Sequence, residues 1–143
     1  MTNRQLPPMQ VLELTVPIEA DDIKGGHVNN ARYFHYIGEA ITAWYRGMGM
    51  GATAERIGSA RVVHMANDFL HPMSYPGSVI CRLTVVKQGR TSLEQTVELR
   101  DADRPEVICG RGKVVHVWVA KATGKPGPWP GEVLEKCWLA GEG

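Results

Sequence analysis

The spacing of apolar and polar positions divides the chain into one helical stretch and several extended ones. From Ala31 to about Met48, the residues Tyr33, Ile37, Ala40, Ile41, Trp44 and Tyr45 recur at three- and four-residue intervals. That period predicts a helix of about four to five turns with one broad apolar stripe. Asn29 or Asn30 stands where its N-cap belongs, asparagine being among the best acceptors for the first free N–H groups. Gly47, Gly49 and Gly51 mark its expected end. Val11–Val16 is β-branched and apolar and reads as a strand stopped by Pro17. Arg61–Phe69 is a second strand, closed by His71-Pro72, with Tyr75-Pro76-Gly77-Ser78 as the next turn.

Val79–Val86 follows, then Gln88-Gly89-Arg90 as a tight hairpin connection. Thr91–Arg100 alternates cleanly, with Leu93, Gln95, Val97 and Leu99 on one side and Ser92, Glu94, Thr96 and Glu98 on the other, the mark of a half-buried antiparallel strand. After a turn at Asp101–Pro105, Glu106–Ala120 is a long last strand with Val107, Cys109, Val115, Val117 and Val119 as its alternate apolar set. Gly110 and Gly112 within it indicate a bulge or a close approach by another backbone or ligand. A short helical tail is expected from about Gly131 to Leu139. This order predicts an α+β domain, one long helix wrapped by a curved antiparallel sheet of about five strands. It spans residues 1–143, with a core over 11–130 and a tail over 131–143.

Composition narrows the function classes. The chain has 143 residues and a formal net charge of +1, one domain's worth of chain with no basic footprint for nucleic acid or an anionic membrane. Three widely spaced cysteines, Cys81, Cys109 and Cys137, fit neither a disulfide framework nor a zinc site and point to a reducing, cytoplasmic setting. Met1–Gln10 lacks the pattern of a signal peptide, and no apolar run has the length of a membrane span. His35, His64, His71 and His116 show no metal-ligand spacing, and no serine has a nucleophile-elbow context. No metal or organic cofactor is expected.

The candidate chemistry is concentrated ahead of the long helix, in Asp21-Asp22-Ile23-Lys24-Gly25-Gly26-His27-Val28-Asn29-Asn30. Paired carboxylates can share a site and raise one pKa toward that of a general base, though aspartate is also common in turns. His27 is placed either to orient a water or to hold the loop by hydrogen bonds. Of Asn29 and Asn30, one is expected to cap the helix and the other to face the site.

Gly26-His27-Val28-Asn29-Asn30-Ala31-Arg32-Tyr33-Phe34, followed by Glu39-Ala40, resembles the G-H-V-N-N-x-x-Y segment of the hot-dog-fold acyl-CoA thioesterases of the 4-hydroxybenzoyl-CoA thioesterase type. Asp68-Phe69-Leu70-His71-Pro72 is similar to the end of that family's second strand. Gly89-Arg90-Thr91-Ser92 resembles its G-x-x-S hairpin, and Thr123-Gly124-Lys125-Pro126-Gly127-Pro128-Trp129-Pro130 its closing T-G-K-P-x-P-x-P segment. The likeness runs from about Val11 to Pro130. It implies a homodimer, or a dimer of dimers, with sheets joined edge to edge and acyl-CoA sites at the subunit interface.

It further implies a loop aspartate as base or nucleophile and a backbone N–H at the helix start, from Asn30 or Ala31, as oxyanion donor. His27 and Asn29 would position the loop, and Tyr33, Glu39, Arg90 and Ser92 would meet substrate. One position departs from the pattern. The family's catalytic aspartate, three residues before the glycine of G-H-V-N-N, is Ile23 here; Asp21 matches the other acidic position, and Asp22 is expected to take the role. A hot-dog protein that binds acyl-CoA without turnover is the alternative, and a dehydratase pairing His27 with Glu39 is a third.

Overall fold

A computed structural model describes residues 7–138; the lead-in at 1–6 and the end of the expected tail at 139–143 lie outside the described residues. Strand β1 (Val11–Pro17) is followed by a 3₁₀ turn (Ala20–Asp22) and a two-residue hairpin, β2 (Ile23–Lys24) and β3 (His27–Val28). Helix α1 (Asn30–Gly47) comes next, then a short α2 (Met50–Arg56). Strands β4 (Gly58–Phe69), β5 (Ser78–Gln88), β6 (Ser92–Asp101) and β7 (Arg104–Ala120) complete the sheet, and one helical turn, α3 (Gly131–Leu134), closes the described chain. The sheet is antiparallel throughout, in the order β1-β5-β6-β7-β4.

The sheet curves around α1. Tyr36, Ile37, Ala40 and Trp44 are fully buried, as the three- and four-residue spacing predicts. Each large side chain of that stripe contributes on the order of 2 kcal/mol by leaving water. The helix starts one residue earlier than expected because Asn29 caps it, its side chain accepting from the Ala31 N–H. It stops where Gly49 adopts the left-handed conformation, φ 69°, a geometry glycine accepts at no steric cost. Gly51 is not a stop. The chain resumes as α2, which buries Met50 and Thr53 against the start of β4.

Curvature is set by register shifts in β4 between Val62 and His64, in β5 between Val85 and Lys87, and where β6 pairs with β7 around Cys109. A bulge changes which residues of a strand face inward, and in β7 this overturns the expected face. Leu99 pairs with Gly110 and Arg100 with Ile108. Beyond Gly110 the buried residues are therefore Val114, His116 and Trp118, and Val115, Val117 and Val119 take the outer face. Gly112 is the close approach anticipated for this strand, since a Cβ there would overlap the Ala66 carbonyl oxygen of β4.

The outer face carries its charge in register. Glu13, Arg82, Glu98, Arg111 and Asp68 are successive cross-strand partners, one from each strand. Alternating signs directly opposite one another favour this pairing.

Candidate functional site

Three segments meet at the N-terminus of α1: the loop from Glu19 to Val28, the first turn of the helix, and residues 69–73. The Val28 N–H donates to the Met73 carbonyl at 2.8 Å, and the Tyr33 hydroxyl donates to the His71 carbonyl at 3.1 Å. The Tyr33 ring packs edge-on to Phe69, with centroids 4.9 Å apart. Between these segments lies a cavity of about 270 Å³ lined by His27, Asn30, Tyr33, Phe69, Leu70 and His71.

The 3₁₀ turn separates two aspartates that are alike in the sequence. Asp21 is exposed and does not line the cavity. Asp22 is buried, 1 % exposed. Its Oδ1 accepts from Arg32 Nε at 2.7 Å, and its Oδ2 accepts from the Glu19 N–H at 2.9 Å and the Tyr36 hydroxyl at 2.8 Å. Burial alone would raise the pKa of this carboxyl, but the Glu19 N–H, Tyr36 and Arg32 together hold it below the ordinary carboxylate value. The same burial and the same carboxylate push the Tyr36 hydroxyl far up. Asp22 thus stays ionised and fully engaged, and its carboxylate does not line the cavity. Asp22, expected as base or nucleophile, is placed where it fastens the loop to α1. Arg32 and Tyr36, four residues apart on one helix face, are partners that the sequence reading missed, although that spacing is the signal for them.

Ile23, at the family's acid position, pairs with Val28 and packs half-buried against the core. Asn29 is the cap. Its N–H donates to the Asp22 carbonyl at 2.8 Å, while its side-chain oxygen and its carbonyl accept from Ala31 and Arg32 at 3.4 and 2.8 Å. At the first helical position the N–H has no intrahelical acceptor, and Asn30, which holds that position, lines the cavity. His27 projects at the exposed edge of β3, its Nδ1 3.4 Å from the Val28 carbonyl. The arrangement joins a free N–H at the positive end of a long helix, an imidazole beside it, and an apolar wall from Tyr33, Phe69 and Leu70. These can hold an acyl group, polarise its carbonyl and move a proton.

The other expected substrate contacts lie elsewhere in the protomer. Glu39 is on the exposed side of α1, 3.9 Å from His35, so it makes no pair with His27. Arg90 and Ser92 sit at the β5–β6 turn, about 23 Å along β6 from Leu99, whose partner Gly110 lies beside Phe69. Phe69, Leu70 and His71 were legible only as the end of a strand. A concavity of about 640 Å³ opens on the outer face over Gly112 between Glu98, Arg111 and Lys113. Its Glu98 faces Arg111 in register, and its Lys113 lies 4.0 Å from Glu94.

A long helix wrapped by a five-stranded antiparallel sheet, with a polar loop feeding its N-terminus, is the hot-dog fold. The chain belongs to the thioesterase-like superfamily, whose family model matches residues 18–137. Among solved structures it is similar to the PA2801 protein of Pseudomonas aeruginosa, a candidate thioesterase, with 28% identity and a TM-score of 0.74 over 82% of this chain and 91% of that one. A candidate acyl-CoA thioesterase of Xanthomonas campestris matches at 26% identity and a TM-score of 0.71, covering 82% of this chain and 98% of the other. The 1,4-dihydroxy-2-naphthoyl-CoA thioesterase of Synechocystis shares the fold at 19% identity and a TM-score of 0.75, over 90% of this chain and 97% of its own. No curated protein matches the sequence significantly.

Proposed function

We propose that this chain hydrolyses acyl-CoA thioesters at the cavity beside the α1 N-terminus. The observation that carries the reading is that Asn30, the first residue of α1, lines the cavity together with His27, its N–H having no acceptor within the helix. As water attacks the thioester carbonyl, negative charge develops on its oxygen, and the Asn30 N–H stabilises it there. His27 takes the proton of the attacking water and later returns it as the thiolate of CoA leaves. Asp22 acts through others, fixing the loop and the first turn of α1 so that N–H and imidazole hold their spacing. Tyr33 walls the acyl group.

The working unit is a homodimer joined along β4. That strand is a free edge of twelve residues, and Val62, Val63, Phe69 and the adjacent Leu70 are exposed along it. Exposed apolar edge strands invite pairing with another chain. Two β4 strands related by a two-fold axis run antiparallel, which brings the Gly58 end of one beside the Phe69 end of the other. The β5–β6 turn with Arg90 and Ser92 then approaches the partner's cavity, where it can meet the CoA portion of the substrate.

The test is release of CoA thiol from short-chain, long-chain and aromatic acyl-CoAs. His27→Ala is expected to lower kcat by about 10²- to 10⁴-fold, and Asp21→Asn to change it little. Near-normal turnover in His27→Ala, with loss in Asp21→Asn, would move the base to the loop carboxylate. A second reading, acyl-CoA binding without turnover, is favoured by Ile23 filling the family's acid position. It predicts calorimetric binding with no thiol release above background.

A further inference from the structure

A second cavity, of about 410 Å³, lies between the C-terminal half of α1, α2 and the start of β4, walled by Thr42, Tyr45, Met50, Ala54, Ser59 and Ala60, with the exposed Arg46 at its mouth. Tyr45 brings a buried polar chain to this wall. Its hydroxyl is 2.9 Å from His116 Nδ1, and His116 Nε2 is 2.6 Å from Gln95 Oε1; His116 and Gln95 are both fully buried. The imidazole links the two, one ring nitrogen donating and the other accepting, so that Tyr45, His116 and Gln95 form one chain of hydrogen bonds whose donor order follows the tautomer. Burial holds the imidazole neutral, pushing its pKa down to about 4. With one hydrogen bond made inward, the Tyr45 hydroxyl keeps capacity for a second. The Thr42 hydroxyl beside it is spent on the Gly38 carbonyl at 3.0 Å.

We infer that this cavity receives the distal part of the acyl group whose thioester is bound at the partner subunit's α1 N-terminus, and that Tyr45 selects acyl groups carrying a hydroxyl at that depth. The inference rests on the thioesterase reading and its β4-joined dimer. Within one protomer Tyr45 lies fifteen residues along α1 from Asn30, about 22 Å of helix. Across the dimer, antiparallel β4 strands set Ser59 and Ala60 of one subunit beside the Phe69 end of the other, so the two cavities face each other. The Tyr45 hydroxyl can pair with a hydroxyl on the acyl chain, and gives a plain methylene nothing in return.

The experiment compares kcat/KM for matched acyl-CoAs with and without a terminal hydroxyl, in the wild-type chain and in Tyr45→Phe. Phenylalanine keeps the ring that packs on Trp44 and His116. The wild type is expected to prefer the hydroxylated member, and Tyr45→Phe to lower that preference by about tenfold. Hybrid dimers of one His27→Ala and one Tyr45→Phe subunit add the placement test: one of their two sites is then intact in both parts, so about half the wild-type rate returns with wild-type selectivity. An unchanged preference in Tyr45→Phe overturns the inference, as does a hybrid in which every site is impaired. If the wild type releases no thiol from any acyl-CoA, the thioesterase reading fails. The same matched pair is then compared by calorimetric binding, where equal loss of both ligands, or of neither, in Tyr45→Phe overturns the selectivity as well.

Discussion

Helix α1 carries a buried polar cluster at each end, and the two are built on opposite terms. At the N-terminus, Asp22 is ionised, and both its oxygens are taken by Arg32, Tyr36 and the Glu19 N–H. Toward the C-terminus, Tyr45, His116 and Gln95 are neutral, and Gln95 Nε2 has no partner among the described residues. A buried charge is tolerable only when every lone pair is met. The first cluster is therefore closed and can only hold its neighbours in place. A neutral chain can stay open at one end, and this one ends on Tyr45, which lines a cavity. Satisfaction marks the scaffold; incompleteness marks the place where a ligand can finish the network.

The largest expected effect comes from breaking the closed cluster. Asp22→Ala removes one acceptor from three donors and strands the Tyr36 hydroxyl, which is buried, so the fold should lose about 3 kcal/mol. Arg32, 40% exposed, can turn to water and limits the loss. Urea unfolding monitored by circular dichroism reads this directly. A loss below about 1 kcal/mol would mean that the loop finds another fastening. Asp22→Asn should fall between, because an amide oxygen in the place of Oδ2 still accepts from two of the three.

The second effect separates the clusters by pH. For His116, the unfolded chain takes up a proton as pH falls through about 6.5, while the folded one, with its pKa near 4, does not. Stability is full above pH 6.5 and declines as pH falls toward 4, by about 3 kcal/mol in all. Asp22 works in a different window. Its folded pKa is lowered, so its contribution is present above the ordinary carboxylate value and is lost only as pH falls below it. Unfolding midpoints between pH 7.5 and 2 should therefore show two successive losses. His116→Gln should flatten the first and leave the second. A single loss confined to the acid end would place the imidazole in contact with solvent in the native state.

The two clusters also differ in how far the sequence discloses them. Asp22, Arg32 and Tyr36 fall within fifteen residues, on a loop and one helix face, and helical spacing with the family likeness was enough to mark this loop as the candidate site. What stayed hidden was which of two adjacent aspartates turns inward, because a single 3₁₀ turn decides it. The other cluster spans Tyr45 to His116. It depends on the bulge around Cys109, which puts His116 rather than its valine neighbours in the core. Gly110 and Gly112 announced an irregularity, but pairing partners and parity come from the tertiary register. Helix α2 was missed for a local reason: three nearby glycines look alike, yet only Gly49 needs the left-handed conformation to break the helix.

The smallest effect supplies the baseline for both. On the outer face, Arg111 stands between Glu98 and Asp68 in register, the same chemistry as the Arg32–Asp22 pair but exposed to water. Arg111→Glu puts three like charges in a row, and still should cost less than about 1 kcal/mol, shrinking further in high salt. Asp22→Ala should be nearly indifferent to salt, because its pair is shielded from ions. If the two substitutions cost the same at low salt and fade together at high salt, the N-terminal cluster is solvated after all, and the division between a closed scaffold and an open ligand end loses its physical basis.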